Sequence, residues 1–78
     1  MNLEELKIKL SQEDLIKDKF HIGQAFDNRF CIVCENNVWS TFHYERGRRT
    51  ILKTYTNESD ACTAFYERMM KAKERILR

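Results

Sequence analysis

Two β-forming runs, Phe30-Cys31-Ile32-Val33-Cys34 and Val38-Trp39-Ser40-Thr41-Phe42-His43-Tyr44, flank Asn36-Asn37, and this pairing constrains the chain more than any other feature. Asparagine is one of the few residues that accept the positive φ a two-residue hairpin turn imposes. With Asn36-Asn37 as the turn, Cys34 lies opposite Trp39, Ile32 opposite Thr41 and Phe30 opposite His43, all on one face. Cys31, Val33, Phe42 and Tyr44 then share the other, because successive strand residues alternate. Both faces are apolar, so one is expected to pack on helices and the other to carry a partner surface. A second turn around Arg46-Gly47-Arg48 leads to a third strand, Thr50 to Tyr55, with Gly47 supplying the left-handed conformation such a loop needs.

The flanks read as helices. Leu3, Leu6 and Leu10 fall on one helical face, and the helix is expected to run to about Asp14 or to be re-nucleated at Ser11. Ile16, Asp18, Phe20 and Ile22 alternate with Lys17, Lys19 and His21, the pattern of a short extended segment entering Gly23. Gln24 to Asn28 reads as a loop. After Tyr55, Asn57 is an N-cap candidate, with Glu58 and Asp60 at the positive end of the helix dipole. Ala61, Phe65, Met69, Ala72 and Ile76 follow at helical spacing, with Cys62, Tyr66 and Leu77 alongside. The order predicts one α+β domain over residues 1–78: an N-terminal helix, a three- to four-stranded antiparallel β-meander, and a C-terminal helix packed on one sheet face.

A chain of 78 residues without proline and with two glycines has room for one domain and no linker. No apolar run approaches the ~20 residues of a membrane span. Met1-Asn2-Leu3-Glu4-Glu5-Leu6-Lys7 carries charge where a signal peptide needs an apolar stretch. These features predict a cytoplasmic protein with no membrane contact. Charge is uneven: residues 1–39 hold five Lys/Arg against seven Asp/Glu, and residues 40–78 hold nine against five. The excess gathers at Arg46, Arg48 and Arg49 and along the last helix, where it suits phosphate or an acidic protein, or simply a solvated hairpin tip and helix C-terminus.

The candidate chemical motifs are weak. Cys31-Ile32-Val33-Cys34 spells C-x-x-C, but residues three apart on a strand point to opposite faces, so the two sulfurs reach neither each other nor one metal. An odd number of cysteines fits a reducing compartment, with the thiols acting as small core hydrophobes. His43 beside a cysteine lacks an orienting acid or an oxyanion element, and Gly23 and Gly47 are too isolated to cradle phosphate. The residues therefore predict no enzyme, no metal and no cofactor. Trp39, Phe42 and Tyr44 beside Arg46, Arg48 and Arg49 carry the aromatic-plus-basic signature of single-strand nucleic-acid binders, although acidic residues are interleaved throughout.

One ordered string goes further. Phe20-His21-Ile22-Gly23, the aromatic-led strand at Phe30-Cys31-Ile32 and the run Trp39-Ser40-Thr41-Phe42-His43-Tyr44-Glu45-Arg46-Gly47 come first. Tyr55 and the helix start Asn57-Glu58-Ser59-Asp60-Ala61-Cys62 with Phe65-Tyr66 follow. Over Ile16 to Met70 this string resembles a family of small immunity proteins encoded beside bacterial polymorphic toxins. The Trp-to-Glu-Arg-Gly strand and the acidic-Ala-Cys helix start are its specific parts; the family usually has tyrosine at the position of His43. The resemblance implies a non-enzymatic protein that binds and neutralises a protein toxin, as a monomer or homodimer. Trp39, Phe42, His43, Tyr44, Arg46, Arg48 and Arg49 are the partner-binding candidates. The second reading is a small nucleic-acid-binding or regulatory adaptor protein, in one version of phage origin.

Overall fold

The computed structural model describes residues 1–13 and 19–76, in the order α1 (Leu3–Gln12), β1 (Phe20–Ile22), β2 (Arg29–Glu35), β3 (Val38–Glu45), β4 (Arg48–Tyr55) and α2 (Glu58–Ile76). The expected extension of the first helix to Asp14, the Ile16 and Asp18 end of the extended segment, and Leu77 lie outside the described residues. The strands form one sheet in the order β1-β2-β3-β4.

The central hairpin has the expected register: Cys34 pairs with Trp39, Ile32 with Thr41 and Phe30 with His43. Asn36 and Asn37 sit at φ 51° and 65°, the all-left-handed pair whose twist matches that of the strands. The second turn is equally tight, with Arg46 at φ 52°, Gly47 at φ 78° and Glu45 paired with Arg48. An arginine therefore takes one left-handed position, and β4 starts two residues before the expected third strand.

β2, β3 and β4 form the expected antiparallel meander, but the sheet as a whole is mixed. β1 runs parallel to β2, with Phe20 beside Phe30 and Ile22 beside Ile32. Parallel neighbours usually need a crossover of a dozen or more residues, whereas here residues 23–28 alone return the chain. Three residues of β1 leave only a short distance to retrace. Gly23, at φ 107°, starts the reversal while its N–H donates to the Ile32 carbonyl at 2.9 Å. Asn28, at φ 60°, ends it, with its N–H on the Tyr44 carbonyl at 2.8 Å.

Both helices have side-chain caps. Asn2 Oδ1 accepts from the Glu5 N–H at 2.8 Å, and Asn57 Oδ1 accepts from the Asp60 N–H at 2.8 Å. Each satisfies an amide that the first helical turn leaves without a partner. Ser11 re-nucleates nothing: it lies inside α1 and its hydroxyl donates to the Ile8 carbonyl at 2.6 Å. The helices are tied together by the Leu3 N–H on Glu58 Oε2 at 2.6 Å and by the Tyr66 hydroxyl on Glu13 Oε1 at 3.0 Å.

The core has two parts. The larger joins Leu6 and Leu10 of α1, Phe30 and Ile32 of β2, and Ala61, Cys62, Phe65 and Met69 of α2. Phe65 stacks on Phe30 with centroids 5.5 Å apart and meets Phe20 edge-on at 6.4 Å. The smaller, Cys31, Val33 and Phe42, is buried on the opposite side of the sheet, with Ala25 and Tyr44 packed against it. Among the described residues, no helix is long and apolar enough to cross a membrane.

Candidate protein-interaction face

The two faces of the sheet have different fates. The helices share a core with the face of Phe30 and Ile32, so among the described residues no helix covers the face of Cys31, Val33, Phe42 and Tyr44. One end of it is covered by residues 23–28, whose Ala25 packs on the small cluster. The Cys31 thiol lies 3.7 Å from the Phe26 carbonyl and 3.5 Å from that of Arg29. Burial pushes this thiol above its ordinary pKa, more than the nearby Arg29 and Arg49 pull it down. Cys62, in the larger core, is also raised by burial, with Glu58 adding to the effect.

Arginines and aromatics interleave on the helix-free face. The Arg29 guanidinium lies 3.9 Å from the Phe26 ring centroid, and the His21 ring centroid lies 5.0 Å from it. Farther along, Arg49 reaches over Phe42 at 4.4 Å and donates to Glu35 Oε1 at 2.7 Å. Tyr44 sits beside Phe42, half-buried, with ring centroids 6.3 Å apart. Of the five large apolar side chains exposed among the described residues, three belong here: Phe26 at 42% exposure, Val38 at 48% and Leu52 at 53%. Strand alternation assigns Val38 and Leu52 to this same face.

The sequence-derived binding residues divide accordingly. Phe42, Tyr44 and Arg49 come together on the helix-free face, with the exposed Arg46 and Arg48 at the adjoining turn. The Arg46 N–H is held by Asp27 Oδ1 at 2.8 Å, which ties that turn to the covering loop. Phe42 is wholly buried, so it supports the surface from beneath and touches no partner itself. Trp39 and His43 lie on the opposite face, where Trp39 packs against the larger core and His43 is half-buried opposite Phe30. Phe26, Arg29, Val38 and Leu52 belong to the face but not to the sequence-derived set. Val38 was legible from its two-residue spacing to Ser40 and Phe42, whereas the loop position of Phe26 carries no periodic signal.

Cys31 and Cys34 part as strand geometry requires, Cys31 into the small core and Cys34 into solvent. Among the described residues, no group of three His, Cys, Asp or Glu is placed to hold a metal ion. Compared with family models, with curated proteins and with solved structures, the chain has no match.

Proposed function

We propose that this chain is a cytoplasmic, non-enzymatic binding module of the immunity type, which neutralises a protein toxin by covering it with the helix-free sheet face. The observation that carries this reading is the exposure of Phe26, Val38 and Leu52 on a face lined with Arg29, Arg49 and Tyr44. Exposed apolar side chains among arginine and tyrosine have the composition of binding hot spots. A standard interface takes ~800 Å² per partner, about a seventh of the 5552 Å² this molecule exposes, so one sheet face suffices. The Arg46-Gly47-Arg48 turn at its margin adds positive charge that steers an acidic partner toward it. The chain acts as a monomer or homodimer in this reading, and needs no cofactor, because occlusion requires only shape and charge.

The test is co-expression with the toxin encoded next to this gene, scored by growth and by calorimetric affinity. The parent chain restores growth, and Val38→Asp with Leu52→Asp abolishes both rescue and binding while leaving the circular dichroism spectrum unchanged. Rescue that survives the double substitution removes this face from the interface. Direct oligonucleotide binding that weakens steeply with salt, without effect on any toxin, replaces the proposal with the nucleic-acid adaptor reading.

A further inference from the structure

On the other side of the sheet, β4 and α2 enclose a cleft of about 150 Å³. Three cations line it, Lys53 from β4 and Arg68 and Lys71 from α2, against the single carboxylate of Glu67. Arg68 is held over Phe30, 5.2 Å from the ring centroid. Among the described residues, none of these three cations is paired with a carboxylate, Glu67 included. All three side chains are exposed, so water screens their mutual repulsion and the recess presents them together to a ligand arriving from solvent. Among the described residues Glu67 is the one carboxylate on the lining, so the cleft carries a net positive charge.

The backbone goes out of its way to build the cleft. From the Arg46-Gly47 turn the ladder runs Glu45 to Arg48, Tyr44 to Arg49 and His43 to Thr50, and then shifts by one so that Thr41 pairs with Lys53. Two residues of β4, Ile51 and Leu52, therefore oppose Phe42 alone. This is a bulge, and Ile51 takes φ 55° in it, a conformation that β-branched residues almost never adopt. A one-residue shift turns every later side chain to the opposite face. Without it Lys53 would oppose Ser40 on the helix-free face; with it Lys53 and Tyr55 stand on the cleft side, and Ile51 joins the lining. The strained residue is thus what delivers the β4 cation to the two α2 cations.

We propose that this cleft binds an oxyanion, a carboxylate or phosphate group, carried on a short apolar body. Lys53, Arg68 and Lys71 neutralise the charge, Arg68 offering the planar fork that matches an oxyanion's paired oxygens. Phe30, Ile51 and Tyr55 cover the body. The site stands apart from the helix-free face, so its occupancy is independent of the toxin-binding proposal.

A nitrogen-15 NMR titration of the full chain with phenyl phosphate, benzoate, inorganic phosphate and, at matched ionic strength, sodium chloride tests this. Phenyl phosphate and benzoate are expected to shift the Ile51, Lys53 and Arg68 amides saturably, each more tightly than inorganic phosphate. Lys53→Gln with Lys71→Gln, both exposed and outside the core, weakens binding about tenfold or more, the loss of two charge-assisted contacts, with an unchanged melting temperature. Shifts that chloride reproduces overturn the site, as does affinity unchanged in the double variant. Inorganic phosphate binding as tightly as phenyl phosphate overturns the apolar part of the assignment.

Discussion

The guanidinium of Arg49 lies 4.4 Å from the centroid of the Phe42 ring while one of its nitrogens donates to Glu35 Oε1 at 2.7 Å. Arg49 thereby roofs an aromatic that the strands alone leave open to the helix-free face, and Glu35 from β2 fixes the roof in place. Arg49→Ala is expected to cost about 1–2 kcal/mol, the sum of a cation–π contact and a partly exposed ion pair. Glu35→Gln, which keeps the roof and weakens only the pair, costs under about 1 kcal/mol. Urea denaturation of both variants measures the difference, and equal losses would show that the Phe42 contact contributes nothing.

Phe65 is the junction of the larger core, in contact with both Phe30 and Phe20. Phe65→Ala is expected to remove about 3–5 kcal/mol, enough to unfold much of a domain this small. Phe65→Leu, which keeps most of the volume, costs far less. A melting temperature indifferent to Phe65→Ala contradicts its place in the core.

Ile51 and Leu52 are equally exposed, at 51% and 53%, but only Ile51 holds a left-handed backbone. Glycine substitution removes a similar apolar side chain at each position and relieves strain at one. Ile51→Gly is therefore less destabilising than Leu52→Gly, by about 1–2 kcal/mol. Equal losses in a thermal melt would place the bulge elsewhere.

The buried thiols make stability fall in alkali. Cys31 and Cys62 have pKa values raised by burial above the ordinary 9.0, so the unfolded chain loses these protons before the folded one does. Their contribution is complete below pH 9.0 and is lost as pH rises through the raised folded values. Stability measured in urea between neutral pH and pH 10–11 is expected to decline less in a Cys31→Ala, Cys62→Ala variant. In the parent chain a thiol reagent at neutral pH modifies the exposed Cys34 first. Simultaneous modification of all three cysteines refutes the burial difference.

The Arg46-Gly47-Arg48 turn offers charge without structural duty, since Arg46 is held through its backbone N–H and not its side chain. Arg46→Glu with Arg48→Glu is expected to slow association with an acidic toxin surface at least tenfold at low salt and to leave the fold intact. Stopped-flow association rates across a salt series measure this. Rates identical to those of the parent chain exclude the turn from steering.

What the sequence determined by itself is local. Asn36-Asn37 sets a turn type, the turn type sets the register, and the register separates Ile32 from Val33 and Cys31 from Cys34, all within about fifteen residues of chain. Asn57 and the apolar stripe from Ala61 to Met69 place α2 in the same way, through a cap and a period. The tertiary structure decided what depends on closure between distant segments. Phe20 to Ile22 alternates equally well for a parallel or an antiparallel neighbour, and only the return through Gly23 and Asn28 selects parallel. The covering of Cys31 by the 23–28 loop depends in turn on that choice. The bulge has no local signature either, because Ile51 disfavours the backbone it adopts. It exists because Lys53 and Tyr55 end on the α2 side of the sheet, and side chains there are constrained by a helix that begins only after the strand has ended. Turns and caps exchange energy among neighbours in sequence, whereas strand direction, bulge position and the uncovered face follow from which surfaces remain once both helices have docked.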